Sequence, residues 1–380
     1  MEVGFTEDQS LFRDVVRRFL EDKSPTAEVR RIMESTAGFD LQVWNQAAQE
    51  VGLTGIHLPE EFGGSGFGAV ELGIVAEEMG RHLFCSPFFA SAVMAGYAIS
   101  NEGTSEQKSR WLPGIADGSC IATLVLDDLN TLAGVGRQIQ ATQETLLSGS
   151  APLVIDAQIA STFVVAARSE AGIAFYLVPA DSTGIAVQPL EVVDSTRKLC
   201  RVDFTDVGAE RLGDGRAANL ALLWDQLCAV LANEMVGGAT RLFETTLDYL
   251  KLRVQFGRTI GSFQALKHRC ADLLMELELA RAAAYAASRE QAKLASGLDA
   301  DPCAAHVAKA LASDAYMQIA RQAIQLRGGI GFTWEEDTHL WFKRAKSSEV
   351  LLGSSAWHRD QMINRLMLEP DMPRKESANA

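Results

Sequence analysis

In RVQFGRTIGSFQALKHR (253–269) two arginines, Arg253 and Arg258, bracket a Phe-Gly break, and Ser262 and Gln264 stand ahead of a run with helical character. In QLRGGIGFTWEED (325–337) a helix-like run ends in paired glycines. An arginine beside exposed helix-terminal amides suits a pyrophosphate, because both offer N–H groups and positive charge to its oxygens. A glycine pair lets a flat ring or a phosphate approach the backbone, since no Cβ stands in the way. Alone, each segment is an ordinary connection between helices. Together in one helical stretch they describe a place for a phosphorylated ligand.

Other chemistries fit poorly. GGIGFTW (328–334) lacks the third glycine of a dinucleotide fingerprint and follows no strand. Glu336 and His339 make a single ExxH, where a di-iron bundle needs two such pairs and two further glutamates, so they read as surface polar residues. No metal site is expected. The six cysteines, Cys85, Cys120, Cys200, Cys228, Cys270 and Cys303, form no CxxC pair and read as small buried hydrophobes in a reducing cytoplasm. The net charge of −14 argues against nucleic acid as the main partner. MEVGFTEDQS at the start lacks a basic segment followed by an apolar one, so no leader is expected, and no uncharged run predicts membrane insertion.

Three kinds of segment must position these residues. Residues 1–118 read as helices, opening at a Thr6 cap with Leu11, Phe12, Val15, Val16, Phe19 and Leu20 at helical spacing, and broken by LPEEFGGSGFG (58–68). Residues 119–217 change to short β-branched runs such as STFVVAAR, IAFYLVPA and CRVDFTDV, which predict a β-barrel or sandwich. Residues 218–380 return to Ala/Leu-rich helices such as 268–295, which predict a four-helix bundle ending in a disordered tail, DMPRKESANA. The expected class is a multidomain α+β protein.

This order, with LPEEFGGSGFG, RVQFGRTIGSFQ and QLRGGIGFTWEED, resembles the acyl-CoA dehydrogenases from residue 1 to about residue 365. The resemblance implies FAD held between the β-domain and the bundle. It places Arg253 and Phe256 at the diphosphate, Gln264 nearby, and Gln325, Gly328 and Gly329 at the adenosine half across a subunit interface. It also implies α,β-dehydrogenation of an acyl-CoA thioester to the 2-enoyl-CoA, with an electron-transfer flavoprotein as acceptor.

Such chemistry needs a carboxylate to take the α-proton. In FKRAKSSEVLLGSS (342–355) the position where most relatives carry that glutamate is Leu352, which accepts no proton; Glu349 beside Lys346 reads as a solvated ion pair. The alternative family position on the first bundle helix is Leu227, followed by Cys228. Glu234 lies seven residues on, two helical turns and within ~20° of the same face. It is the candidate base, and an interhelical salt bridge to an arginine is the competing reading; Asp225 is a weaker candidate. Relatives acting on steroid side-chain acyl-CoAs resemble the chain in this segment.

The β-domain departs further. The family's TEPxxGSD segment, which meets flavin and substrate, aligns with TLVLDDLNTLAG (123–134), so Asp127-Asp128 replaces Thr-Glu. The Trp-Ile-(Ser/Thr) strand end beside the flavin ring falls at PLVIDAQ (152–158), without an aromatic. Two acids beside a reduced, anionic flavin repel it. Two arrangements are therefore expected: a homodimer or tetramer with Glu234 as base, or a catalytically incomplete half of an α2β2 heterotetramer that supplies part of the FAD site to another chain.

Overall fold

The structure, a computed structural model, describes residues 4–142, 145–170, 172–214 and 218–368. The tail DMPRKESANA, residues 1–3 of the chain start and residues 215–217 at the expected end of the β-domain lie outside them.

The first part is helical. Helix α1 (Glu7–Lys23) starts at the Thr6 cap, where Thr6 and Gln9 exchange hydrogen bonds in a capping box. Then come α2 (Thr26–Met33), α3 (Leu41–Gln49), α4 (Ala69–Arg81), a π-helical run (Phe89–Ala95) leading into α5 (Gly96–Glu102), and α6 (Ser105–Ala116). Helix α4 is buried over nearly its whole length, including Glu77 and Glu78. Those carboxylates are matched by Arg13 and Arg17 of α1 at 2.6–2.8 Å, as buried charge requires.

The middle part is one eight-stranded sheet: β1 (Ala122–Val125), β2 (Gln140–Thr142), β3 (Leu146–Ile155), β4 (Thr162–Ser169), β5 (Gly172–Pro179), β6 (Ile185–Pro189), β7 (Leu199–Gly208) and β8 (Glu210–Arg211). Its order is β6-β7-β3-β2-β4-β5-β8, with β1 parallel to β4. Alternation divides each strand between two cores. Phe163, Val165 and Ala167 of β4 join the sheet's own core, while Val164 and Ala166 face the large helical core. One curled sheet thus packs on both faces.

The last part holds α7 (Leu220–Leu252), α8 (Gln264–Ala295), α9 (Ala304–Arg327), α10 (Thr338–Val350) and α11 (Ser355–Leu368). Helix α7 is long and apolar enough to cross a membrane by composition, yet most of it is buried against α4, α8 and α9, as a core helix. It crosses α4 backbone to backbone. A Cβ on Gly80 would fall 1.9 Å from the Glu234 carbonyl oxygen, and one on Gly237 would fall 1.8 Å from that of Glu77. Only glycine allows this crossing.

Candidate functional site

Two places collect the residues singled out from the sequence. The first is an edge where three helix ends meet. Helix α7 stops at Arg253, whose N–H bonds Tyr249 O, and a two-stranded hairpin follows: β9 (Val254–Gln255) paired with β10 (Arg258–Thr259). Its turn residues, Phe256 and Gly257, both have positive φ, +55° and +77°. Positive φ is uncommon for a phenylalanine, and the ring of Phe256 is 90% exposed. The turn at Ile260–Ser262 then folds back on the end of α7 through the Ile260 N–H to Arg253 O bond of 2.8 Å, and Gln264 becomes the first residue of α8. Arg327 ties in the third end. Its guanidinium donates to Thr246 and pairs with Glu336 at 2.9 Å, and the Tyr249 hydroxyl donates to its carbonyl.

Beyond Arg327, Gly328 turns the chain with φ +64°, and a Cβ on Gly328 or Gly329 would meet nothing within 4 Å. Arg253, Gln264, Gln325, Gly328 and Gly329 are all exposed, and the Arg253 guanidinium has no partner among the described residues. The edge therefore offers an unpaired guanidinium, a helix N-terminus and an open glycine cradle, which fits the diphosphate half of a dinucleotide. His339 stacks on Trp334 at 4.6 Å, and Glu336 is taken by Arg327, so the ExxH pair holds this edge together. No cluster of metal-ligating side chains occurs among the described residues.

The second place is the cleft between the sheet and the bundle. Glu234 is buried there, but in an ion cluster. Arg197 Nη2 donates to both of its oxygens, at 2.6 and 2.7 Å, and Arg344 Nη1 donates to Oε1 at 3.1 Å. Arg344 also donates to Asp194 at 2.8 Å and to Thr196 Oγ1 at 2.7 Å, and Ser347 donates to Asp194. Burial opposes charge on Arg344, but Asp194 and Glu234 outweigh it and raise its pKa. Glu234 thus lines the cleft and is paired with two arginines.

Around the cluster the cleft encloses about 30 Å³, lined by Met79, Phe84, Phe89, Ile155, Asp156 and Val230 along with the charged groups. Asp156, 7% exposed, lies at the strand end where a Trp-Ile-(Ser/Thr) run was sought. Burial pushes its carboxyl up to about 7, with Arg197, Arg344 and Lys198 pulling the other way. Sequence reasoning missed Arg197 as a partner of Glu234, and Asp194 and Thr196 as partners of Arg344. Their signal was DSTRK (194–198), which packs an acid, two hydroxyls and two cations into five residues.

The other candidate acids are occupied. Glu349 pairs with Lys346 at 2.6 Å near the surface. Asp225 takes two bonds from Arg365, at 2.7 and 3.1 Å. Leu352 is fully buried with φ +58°, and its N–H bonds Leu129 O at 2.7 Å, stitching the bundle to the β-region.

Comparison with known proteins places this architecture. The family models for the N-terminal and C-terminal domains of acyl-CoA dehydrogenase match residues 6–119 and 225–367. The chain belongs to the acyl-CoA dehydrogenase family. The acyl-CoA dehydrogenase IpdE2 of Mycobacterium tuberculosis is 33% identical over 92% of this chain and 94% of its own length. A solved Tcur3481-Tcur3483 steroid ACAD variant superposes with a TM-score of 0.86 at 29% identity, covering 96% of this chain and 98% of its own. The ChsE4-ChsE5 complex of Mycobacterium tuberculosis shares the fold, with a TM-score of 0.86 at 24% identity over 98% of this chain and all of the other. As a member of this family the chain is an oxidoreductase that acts on acyl-CoA.

Proposed function

We propose that this chain catalyses α,β-dehydrogenation of an acyl-CoA to the 2-enoyl-CoA as one subunit of an FAD-dependent assembly. Its hairpin and glycine turn hold the diphosphate and adenosine half of the flavin, and a second chain of the same family faces that edge. The observation that carries the reading is the open edge itself, with Arg253 unpaired beside Phe256, Gln264, Gln325 and the Gly328–Gly329 cradle. Exposed apolar residues there, Phe256, Ile330, Phe332 and Trp334, support a covering partner. The steroid relative supports a bulky or branched acyl group, and an electron-transfer flavoprotein is the acceptor in this reading. Six free cysteines, all among the described residues, fit a reducing cytoplasm.

The test is Arg253→Ala in the assembled, flavin-loaded enzyme, obtained by co-expression with the partner chain. A charge-assisted hydrogen bond contributes ~1.5–3 kcal/mol, so FAD retention should weaken about tenfold or more. Retention unchanged by the substitution overturns the clamp.

A further inference from the structure

We propose that Arg327 is the positioning residue of the open edge: without touching the cofactor, it holds the Arg253 end of α7 and the Gly328–Gly329 cradle at one separation. The proposal rests on the reading above for what that edge binds.

The two halves of the edge come from different helices. Arg253 closes α7 and the glycines follow α9, so the local chain does not fix one against the other. A ligand that engages both binds better when their separation is set before it arrives.

Arg327 supplies that constraint. It is 7% exposed, within an edge that is otherwise open. Its Nη1 donates to Thr246 Oγ1 at 2.6 Å and to Ala323 O at 3.3 Å, and Nη2 donates to Thr245 Oγ1 at 3.3 Å. Nε pairs with Glu336 at 2.9 Å. The guanidinium also lies over the Tyr249 ring, 5.6 Å from its centroid. Tyr249 in turn accepts the Arg253 N–H on its carbonyl at 2.9 Å and donates its hydroxyl to Arg327 O at 3.3 Å. One tyrosine thus separates Arg327 from Arg253, and the peptide bond after Arg327 opens the cradle at Gly328.

Glu336 is held in its own place. Thr338 Oγ1 donates to it at 2.6 Å. Arg30 of α2 donates to Asp337 at 2.7 Å and to Trp334 O at 2.8 Å, which fixes the same segment from the other side. The edge is therefore tied through Arg327 to α7, to α9 and to the segment that opens α10.

Arg327 acts by geometry rather than by charge. Its N–H groups are spent on acceptors inside the edge, while the Arg253 guanidinium has no partner among the described residues. A guanidinium is a planar fork that fixes several acceptors at once, whereas an ammonium on a flexible stem does not.

The experiment measures FAD dissociation constants by titrating FAD into the flavin-depleted assembled enzyme, for Arg253→Ala, Arg327→Lys and the double variant. Residues that act through one another give non-additive losses, and independent residues give losses that multiply. Arg327→Lys keeps the charge, yet should weaken FAD about tenfold. On top of Arg253→Ala it should add no more than about twofold. Full affinity in Arg327→Lys, or a double variant whose loss is the product of the single losses, overturns the proposal. If Arg327→Lys does not assemble, Thr246→Val, which removes one acceptor and keeps the branched shape, takes its place under the same two criteria. Arg253→Ala that binds FAD as tightly as the parent removes the clamp itself, and the proposal with it. Losses that multiply while Arg253→Ala is weakened remove the proposal alone.

Discussion

Glu234 lies where a proton acceptor was sought, yet guanidinium N–H groups engage both of its oxygens. Both oxygens are held by buried arginines, and taking a proton from carbon would sacrifice those bonds. Breaking one partner of a buried ionic cluster costs ~3–5 kcal/mol, because the remaining charges are left without compensation. Glu234→Gln should therefore lower the melting temperature by several degrees, read by circular dichroism on the assembled enzyme. A turnover loss of ~10²-fold or more at an unchanged melting temperature would instead identify Glu234 as the base. Helical spacing put Glu234 on the face of Leu227, and in the structure it lines the cleft. It concealed the partners, because Arg197 is 37 residues away in another part of the chain and Arg344 is 110 away.

At the scale of elements, the α4–α7 crossing sets two effects against each other. Alanine in place of a helical glycine gains ~1 kcal/mol from helix propensity. At Gly80 and Gly237 that gain is opposed by a Cβ less than 2 Å from a facing carbonyl oxygen, and overpacking of a tight core costs ~1–3 kcal/mol or more. Backbone clash should win. Gly80→Ala is expected to lower the urea midpoint, and a raised midpoint would show that the helices can separate. Helix ends were legible where the signal is local: the Thr6 capping box, the Gln264 start of α8 and the glycine stop at Gly328 all stand where pattern and cap chemistry put them. Strand order was not legible. The parallel pairing of Ala122–Val125 with Thr162–Val165 joins runs forty residues apart, and nothing in either run names its neighbour.

For the whole molecule, buried histidines set the response to acid. Burial lowers His57 to about 4, and burial together with Arg365 lowers His306 to about 4. His82 and His358 are lowered too, by burial first. Each binds its proton more weakly in the folded state than in the unfolded one, where the pKa is ~6.5. Their stabilisation is thus complete above ~6.5 and is lost as pH falls toward the folded values, by up to ~1.4 kcal/mol per pH unit for each histidine. Asp156, raised to about 7 by burial, works in the opposite direction over the same range, as does Asp225, which burial also raises. His339 is lowered and Glu276 raised in the same way, by burial first, and five histidines against three carboxyls leave a net loss. The melting temperature should fall between pH 6.5 and about 4; a flat or rising profile there would contradict the assignment.

The glycine crossing has a consequence for how the chain is made. Helix α4 leaves the ribosome some 150 residues before α7, so its apolar face waits while the whole β-region is synthesised. Of the cations around Glu77, Arg13 is present from the start, but Arg281 arrives only with α8. The late partner, α7, carries a long apolar face of its own that stays uncovered until it docks. Folding of this subunit is governed by non-local contacts formed late. The interval between the synthesis of α4 and the docking of α7 is when the chain most needs a chaperone.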